Sequence, residues 1–456
     1  MCNKYSSEKG EQIMEIPEEF KGRYFYHFTH IDNIQSIIEN EGLLCTNKIK
    51  KDNITYHNIA SVKIQNKRSK MEIPVGCKGK LHDYVPFYFT TINPMLLGLL
   101  NRKVVDQPYI CFIAISIEKL LNENVIFTDS SANTDSLPNF YENPEDLSKL
   151  DWNQINSNTW HVVGEDRHRK MAEVLVHKKV PLEWFDTIIV FDCSCKDKIQ
   201  EIYRKLNKTC PDIACEPFHN RYFFFRKFFF IDDRGIETLV TGPIQLKEKY
   251  LKAIKEIDAN RKYFSHAKAQ FNDLEDMLVK IENNFCIIPE LDGIYELQTD
   301  NKIHTESVSN HTIKVANYVK QSKFYKRLNK KNKRIVLLAA YLHDIGKGPK
   351  SKWKNGIQPT YPDHPADAIP MIIGILSNYI SNITEEEIKE LCLLVIYHDL
   401  MGDIIGRERE FGELKKLNLN ETESNMLAAL SEADIMAIGT GWEINIEREL
   451  EYLITK

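Results

Sequence analysis

Arg167–Lys178 reads RHRKMAEVLVHK. A polar, basic run of loop character ends at Met171, and Ala172–Val176 (AEVLV) follows with the composition of a strand. Glu173 is thereby placed at the mouth of an apolar strand. A carboxylate in that position is paired, solvated by a cleft or shifted in proton affinity, and those conditions recur at catalytic sites. On this stretch alone the favoured reading is an ordinary residue on the wet face of an edge strand. The rest of the chain decides between them.

The chain has 456 residues, enough for two or three domains with a sizeable core each. Its 43% hydrophobic and 27% charged content is that of a soluble globular protein. A net charge of −5 carries no global nucleic-acid signature, so such binding falls to a local patch. No run approaches the roughly 18 apolar residues of a membrane span, so no membrane partner is expected. The polar start MCNKYSSEKGEQ lacks the apolar core of a signal peptide, and residues 1–20 read as a loosely docked tail. Ten scattered cysteines without a CxxC pair argue against a zinc ribbon and for a reduced, cytoplasmic setting.

Arg23–Thr29 (RYFYHFT) reads as a strand, and Ile31–Asn40 as an amphipathic helix with Ile31, Ile34, Ile37 and Ile38 on one face and a stop at Gly42. His27 lies at their join, where α/β domains place ligand-binding groups and where a core histidine is equally at home. Lys48–Lys80 holds nine Lys or Arg residues against Asp52 and Glu72 alone. A helix is expected within Ile54–Ile64 and a solvated loop over Gln65–Lys70. Arg68 is the planar donor suited to a phosphate, unless the run is simply an exposed basic face. Leu81–Phe89 (LHDYVPFYF) is an aromatic strand, which serves either as core or as a stacking platform beside the basic loop. Further strands are expected at Tyr109–Ile117, Val125–Thr128 and Thr187–Phe191, with a turn-rich loop over Ser130–Pro144. Arg221–Phe230 (RYFFFRKFFF) reads as a buried strand closing this half.

Five of these segments resemble the DarT-type DNA ADP-ribosyltransferases in that family's order: HFTHIDNI at His27–Ile34, IQNKRSK at Ile64–Lys70, LHDYVPFYFTTINPML at Leu81–Leu96, LDWNQI at Leu150–Ile155 and RKMAEVLV at Arg169–Val176. The resemblance implies a mixed, split-sheet ADP-ribosyltransferase fold that binds NAD between two small sheets. It implies transfer of ADP-ribose to a nucleobase of single-stranded DNA, thymine favoured, by a bacterial toxin or antiphage effector with a cognate antitoxin as a further partner. Residue by residue, Glu173 matches the catalytic glutamate and Arg68 the essential arginine. His27, which the match also places among the catalytic set, looks like the NAD-binding histidine, with Thr29, His30 and Asn33 in the same contact motif. Tyr84, Tyr88 and Trp160 are the stacking candidates, and Lys67 and Lys70 the basic contacts to DNA. Met171 stands where the family often has Gln, which leaves the acceptor base open.

Thr241–Lys252 and Ile254–Asn284 read as charged, amphipathic helices of a connector. Beyond them come apolar helical stripes at Thr312–Val319, Arg334–Leu342, Ile369–Tyr379 and Glu386–Tyr397. His304, His311, His343-Asp344, His364, His398 and Asp434 punctuate these helices. Adjacent His-Asp at the end of an apolar helix is costly to bury unless a metal compensates it, and this donor set suits one or two divalent ions.

The order resembles the HD-domain phosphohydrolases, most closely those attached to tRNA nucleotidyltransferases. By that match His311, His343, Asp344 and Asp434 are core metal ligands and His364 and His398 a second-metal or phosphate set, with Lys347 near substrate phosphate. Mn, Fe, Mg and Zn are not distinguished, nor is the nucleotide or phosphoester substrate. Together the resemblances imply an α/β N-terminal domain over 1–235, a helical connector over 236–284 and an all-α HD domain over 285–456. The alternatives are an HD nucleotide phosphohydrolase whose N-terminal domain only binds nucleic acid or NAD, and a pair of non-enzymatic sensors.

Overall fold

The computed structural model describes residues 14–456 apart from 61, 133–136, 161, 216–223, 225–226, 232–233, 239, 264–268, 301–305, 360, 408 and 440–444. The chain divides into two units, Met1–Leu100 with Val105–Arg226, and Asn101–Val104 with Lys227–Lys456.

The first unit runs β1 (Tyr24–His30), α1 (Asn33–Glu39), β2 (Gly42–Leu44), α2 (Thr46–Lys51), α3 (Val62–Arg68), β3 (Tyr84–Tyr88) and α4 (Pro94–Asn101). It continues with β4 (Ile110–Ser116), β5 (Val125–Thr128), β6 (Phe140–Tyr141), α5 (Trp152–Asn156), α6 (Gly164–Lys170), β7 (Glu173–His177), β8 (Lys179–Pro181), β9 (Thr187–Val190), α7 (Cys193–Lys205) and β10 (Asp212–Cys215). Eight strands lie in the order β10-β9-β4-β1-β3-β7-β5-β6, and β2 pairs separately with β8.

The sheet is nearly severed at its centre. β1 pairs with β4 along its whole length and β3 with β7 likewise, but β1 and β3 share one registered pair, Tyr26 with Tyr88. Pro86 supplies a reason. The carbonyl of Pro86 points toward β1, where it accepts a hydrogen bond from His27 Nδ1 at 2.8 Å. The nitrogen of the same residue faces the same edge and carries no hydrogen, so the ladder cannot continue through it. A side chain bridges the seam where the backbone cannot. Phe25, Ile34, Phe87, Ile113, Val174 and Ile188 belong to the apolar core of the unit.

Two expectations change here. Residues 54–60 are not helical, and the helix is α3, ending on Arg68. The Asn33 amide accepts from His57 N at 2.6 Å and donates to His57 O at 3.0 Å, which pins His57 to α1. The basic run before Glu173 is helical, with Glu165 and Asp166 in the first turn of α6 and four basic residues in its last, a distribution that complements the helix dipole.

The second unit begins with the antiparallel ribbon β11 (Lys227–Ile231) and β12 (Arg234–Thr238), so this part of RYFFFRKFFF does not close the first sheet. Residues 221–223 and 225–226 lie outside the described residues, as does His304. Next come α8 (Pro243–Tyr263), α9 (Leu274–Asn283), α10 (Pro289–Asp292), β13 (Gln298–Asp300), α11 (Val308–Val319), α12 (Lys323–Lys326), α13 (Lys330–Leu342) and β14 (Ile357–Pro359). The last helices are α14 (His364–Asn378), α15 (Glu385–Gly406), α16 (Phe411–Leu417), α17 (Glu421–Ile438) and α18 (Ile446–Thr455). Leu246, Tyr250 and Ile257 of α8 and Met277 of α9 share one apolar cluster with Val315, Leu338, Leu394 and Leu427, so the segment read as a connector packs into this core. Among the described residues no helix is long and apolar enough to cross a membrane.

Candidate functional site

The seam between β1 and β3 opens into a cleft of about 210 Å³. His27, Phe28 and Thr29 wall it from β1, Val85, Pro86 and Tyr88 from β3, and Arg68 from the end of α3. Glu173 lies directly behind Arg68. The guanidinium donates from Nη1 to Glu173 Oε1 at 2.8 Å and from Nη2 to Oε2 at 2.7 Å. Ala132 N–H adds a third donor to Oε1 at 3.0 Å, and the Glu173 backbone N–H is fixed on Thr128 Oγ1 at 3.0 Å. Glu173 is 0% exposed and Arg68 7%, so the arginine covers the carboxylate.

The electrostatics follow from burial. Burial opposes the Arg68 charge, but the Glu173 carboxylate outweighs it and holds the guanidinium more firmly cationic than usual. Tyr88, the register partner of Glu173, has its phenol pushed up by burial and then by that carboxylate, so it stays a neutral donor. Its hydroxyl reaches Met95 Sδ at 3.6 Å, and its ring stacks on Phe28. Burial pushes His27 below its ordinary value, and its Nδ1–H donates to Pro86 O, which leaves Nε2 as an acceptor. His82, buried near Arg68, is pushed down to about 4 by burial and then by Arg68 and Lys50.

The other expected residues divide. Thr29 and Asn33 line the cleft, and Asn33 Nδ2 also donates to Thr29 Oγ1 at 3.0 Å. His30 is buried outside the cleft wall, its ring parallel to that of His57 at 3.9 Å. Tyr84 is a correction: it is 1% exposed, donates to Lys78 O, and sits in an apolar cluster with Leu81, Ile126 and Leu175. No face of its ring is open to a base. Lys67 and Lys70 are exposed and Trp160 is half-buried. Met171 is buried at the end of α6. Tyr56 and His57 line the cleft without having been singled out; an aromatic pair in a basic, loop-like stretch was the available signal.

In the second unit, His311 (α11), His343 and Asp344 (the end of α13), His364 (α14), His398 (α15) and Asp434 (α17) meet in two adjoining groups. In one, His311 Nε2 lies 2.8 Å and His343 Nε2 3.8 Å from Asp434 Oδ1, and His343 Nε2 lies 3.3 Å from Asp344 Oδ2. In the other, His364 Nε2 lies 3.0 Å from His398 Nε2 and 3.4 Å from Asp344 Oδ1. Gly346 permits this meeting: a Cβ there would stand 1.9 Å from His364 O.

The tautomers are fixed by the backbone. His343, His364 and His398 each direct Nδ1 at the carbonyl three residues earlier, at 2.8, 3.3 and 2.8 Å. A carbonyl only accepts, so each Nδ1 carries a proton, and each ring aims its Nε2 inward. His364 is held down to about 3, by burial first. His343 Nε2 and Asp344 Oδ1 are buried without a hydrogen-bond partner. Ring nitrogens and carboxylate oxygens converge here, and Lys347 Nζ lies on Asp344 Oδ2 at 2.6 Å. That donor set fits divalent ions.

The sequence comparisons divide the same way. The family described as "ssDNA thymidine ADP-ribosyltransferase, DarT" matches residues 26–224, and "HD domain" matches residues 303–372. The DNA ADP-ribosyl transferase of Thermus aquaticus is 34% identical over 197 residues, 42% of this chain and 84% of that protein. The DNA ADP-ribosyl transferase of Thermus sp. (strain 2.9) is 31% identical over 195 residues, 42% of this chain and 91% of that protein. The solved structure of Thermus sp. 2.9 DarT in complex with NAD+ aligns at 26% identity and a TM-score of 0.39, covering 44% of this chain and 98% of that one.

Proposed function

The chain belongs to the DarT family of DNA ADP-ribosyltransferases and carries an HD domain in its C-terminal half, and from that premise we propose that its first unit transfers ADP-ribose from NAD to thymine in single-stranded DNA. The observation that carries the site assignment is Glu173 held behind Arg68 at the wall of the seam cleft.

The reaction breaks the bond between nicotinamide and ribose through a transition state with positive charge on the sugar, and a carboxylate that hydrogen-bonds a ribose hydroxyl stabilises it. Glu173 is that carboxylate, and it doubles as base for the ring N–H of thymine. In the present arrangement both its oxygens are taken by Arg68. Binding therefore transfers the Arg68 fork from Glu173 to the pyrophosphate of NAD or to the developing base anion, two acceptors of matching charge. His27 Nε2 accepts from a hydroxyl or amide of the nucleotide. Tyr88 and Trp160 flank the bases, and Lys67 and Lys70 contact the DNA backbone. The reading makes the protein a cytoplasmic toxin or antiphage effector restrained by a cognate antitoxin. Labelled NAD and single strands differing only in one acceptor base test it: an adduct on the thymine strand is expected, and an adduct on guanine alone moves the assignment to that base.

The HD site reads as a metal-dependent phosphohydrolase of a nucleotide or related phosphoester. His311, His343, Asp344, His364, His398 and Asp434 hold the ions, and Lys347 faces a substrate phosphate. Bound divalent ions supply Lewis-acid activation of water and phosphoryl oxygen. A panel of nucleotides with and without Mn2+ tests this half, and release of phosphate or nucleotide that survives His343→Ala/Asp344→Ala refutes the site.

A further inference from the structure

Cys193 opens α7 and Cys215 closes β10, and their sulfurs lie 2.8 Å apart. The meeting follows from the crossover. β9 and β10 are parallel, with Cys215 registered against Val190, the last residue of β9, and α7 joins the two strands. The helix therefore starts at the same end of the sheet where β10 stops. Asp192 fixes that start, its Oδ1 accepting from Cys195 N at 2.9 Å and from Ser194 Oγ at 2.8 Å.

The neighbouring thiols are committed elsewhere. Cys195 is buried with its Sγ on Pro108 O at 3.2 Å, and Cys111 is buried with its Sγ on Thr29 O at 3.7 Å. Cys193 is exposed and Cys215 half-buried, so a small dissolved oxidant reaches the close pair. Both are free thiols. A sulfur–sulfur bond is about 2.05 Å long, so a small rotation of the two side chains closes the remaining gap.

We propose that Cys193 and Cys215 are a redox modification site, which a peroxide oxidises to a disulfide that fastens β10 to the head of α7. Cys193, the more exposed thiol, attacks one oxygen of hydrogen peroxide. The O–O bond breaks, the other oxygen leaves as water, and Cys193 becomes a sulfenic acid. The Cys215 sulfur then attacks the Cys193 sulfur. The S–S bond forms, the S–O bond breaks, and the hydroxyl leaves with the Cys215 proton as a second water. The two sulfurs lose two electrons between them, and one peroxide is reduced to two waters. A dithiol reverses the bridge by exchange. Burial, and then the contact with Cys193, push the Cys215 thiol up to about 11, which leaves the first attack to Cys193. The tie falls where the sheet is weakest: β10 is an edge strand, held on one side by its pairing with β9. In a reducing setting such a bridge is transient, open at rest and closed under oxidant.

The test is a thiol map of the full chain, independent of turnover. The reduced protein is exposed to graded hydrogen peroxide, its remaining thiols are alkylated, and the digest is read by mass spectrometry. A linked peptide carrying Cys193 and Cys215 is expected before any other cysteine pair, and dithiothreitol is expected to remove it. Cys193→Ser and Cys215→Ser are each expected to abolish it. Hydrogen exchange of the β10 amides is expected to slow about tenfold in the bridged form. Oxidation of both thiols to sulfinic acid without a linked peptide overturns the proposal, as does a bridge from Cys193 to Cys195 or Cys210. A bridge that leaves β10 exchange unchanged overturns the fastening. The wild-type map needs no variant, so a serine variant that does not fold leaves the test intact.

Discussion

Arg68 and Glu173, 105 residues apart in the chain, form a two-pronged ion pair in which the arginine both neutralises the carboxylate and hides it from the cleft. Truncating one partner strands the other charge in a buried site, a loss of about 3–5 kcal/mol. Arg68→Ala is expected to lower the first unit's unfolding midpoint accordingly. Arg68→Lys, which keeps the charge but not the fork, restores most of the stability and little of the transfer. Equal transfer rates for the lysine variant and the wild type contradict the role given to the fork.

Tyr84 and Tyr88 occupy one face of β3 but do different work. Tyr84→Phe removes one hydrogen bond to Lys78 O, costs about 1 kcal/mol, and leaves affinity for single-stranded oligonucleotides unchanged. Tyr88→Ala lowers that affinity or raises KM for NAD. Loss of oligonucleotide binding in Tyr84→Phe argues against its place in the core.

Glu390 on α15 provides a pH signature of the second unit. Its side chain is 3% exposed and accepts from Asn332 Nδ2 at 3.2 Å. Burial and then Glu386 push its carboxyl from 4.5 up to about 7. The folded value lies above the unfolded one, so the contribution of Glu390 to stability is complete below about pH 4.5 and is lost as pH rises through about 7. Glu390→Gln is therefore expected to raise the second unit's Tm near pH 8 and to leave it unchanged near pH 4.5. A difference that is constant across that window contradicts this.

Metal removal is expected to act on the second unit, where the His/Asp groups join helices distant in sequence. A ligand that binds only the folded state stabilises it by about 4 kcal/mol at a thousand-fold excess over Kd. Calorimetry with a chelator is expected to lower the transition of the second unit and leave that of the first in place. His343→Ala/Asp344→Ala is expected to remove the difference.

Much of this was legible in residue order. β1, α1, β5 and the stripes of α11, α13, α14 and α15 fall where periodicity places them, because each is stabilised by local pattern. The His/Asp set was also legible, since its members punctuate helix ends and buried stripes. What escaped depends on contacts distant in sequence. The segment 54–60 is pinned at His57 by the side-chain amide of Asn33. Strand alternation puts Tyr84 and Tyr88 on one face and cannot tell that only the latter reaches the cleft. The seam follows from which edge of β3 the nitrogen of Pro86 faces.

Single turnover tests most directly whether Glu173 performs the transfer. Wild type and Glu173→Gln, which keeps the shape and loses the charge, are to be mixed in single turnover with labelled NAD and a thymine-containing single strand. An adduct is expected with the wild type, and a rate lower by about 10²–10³ or more in the variant, with the fold intact by circular dichroism. Adduct formation by Glu173→Gln at the wild-type rate would contradict it.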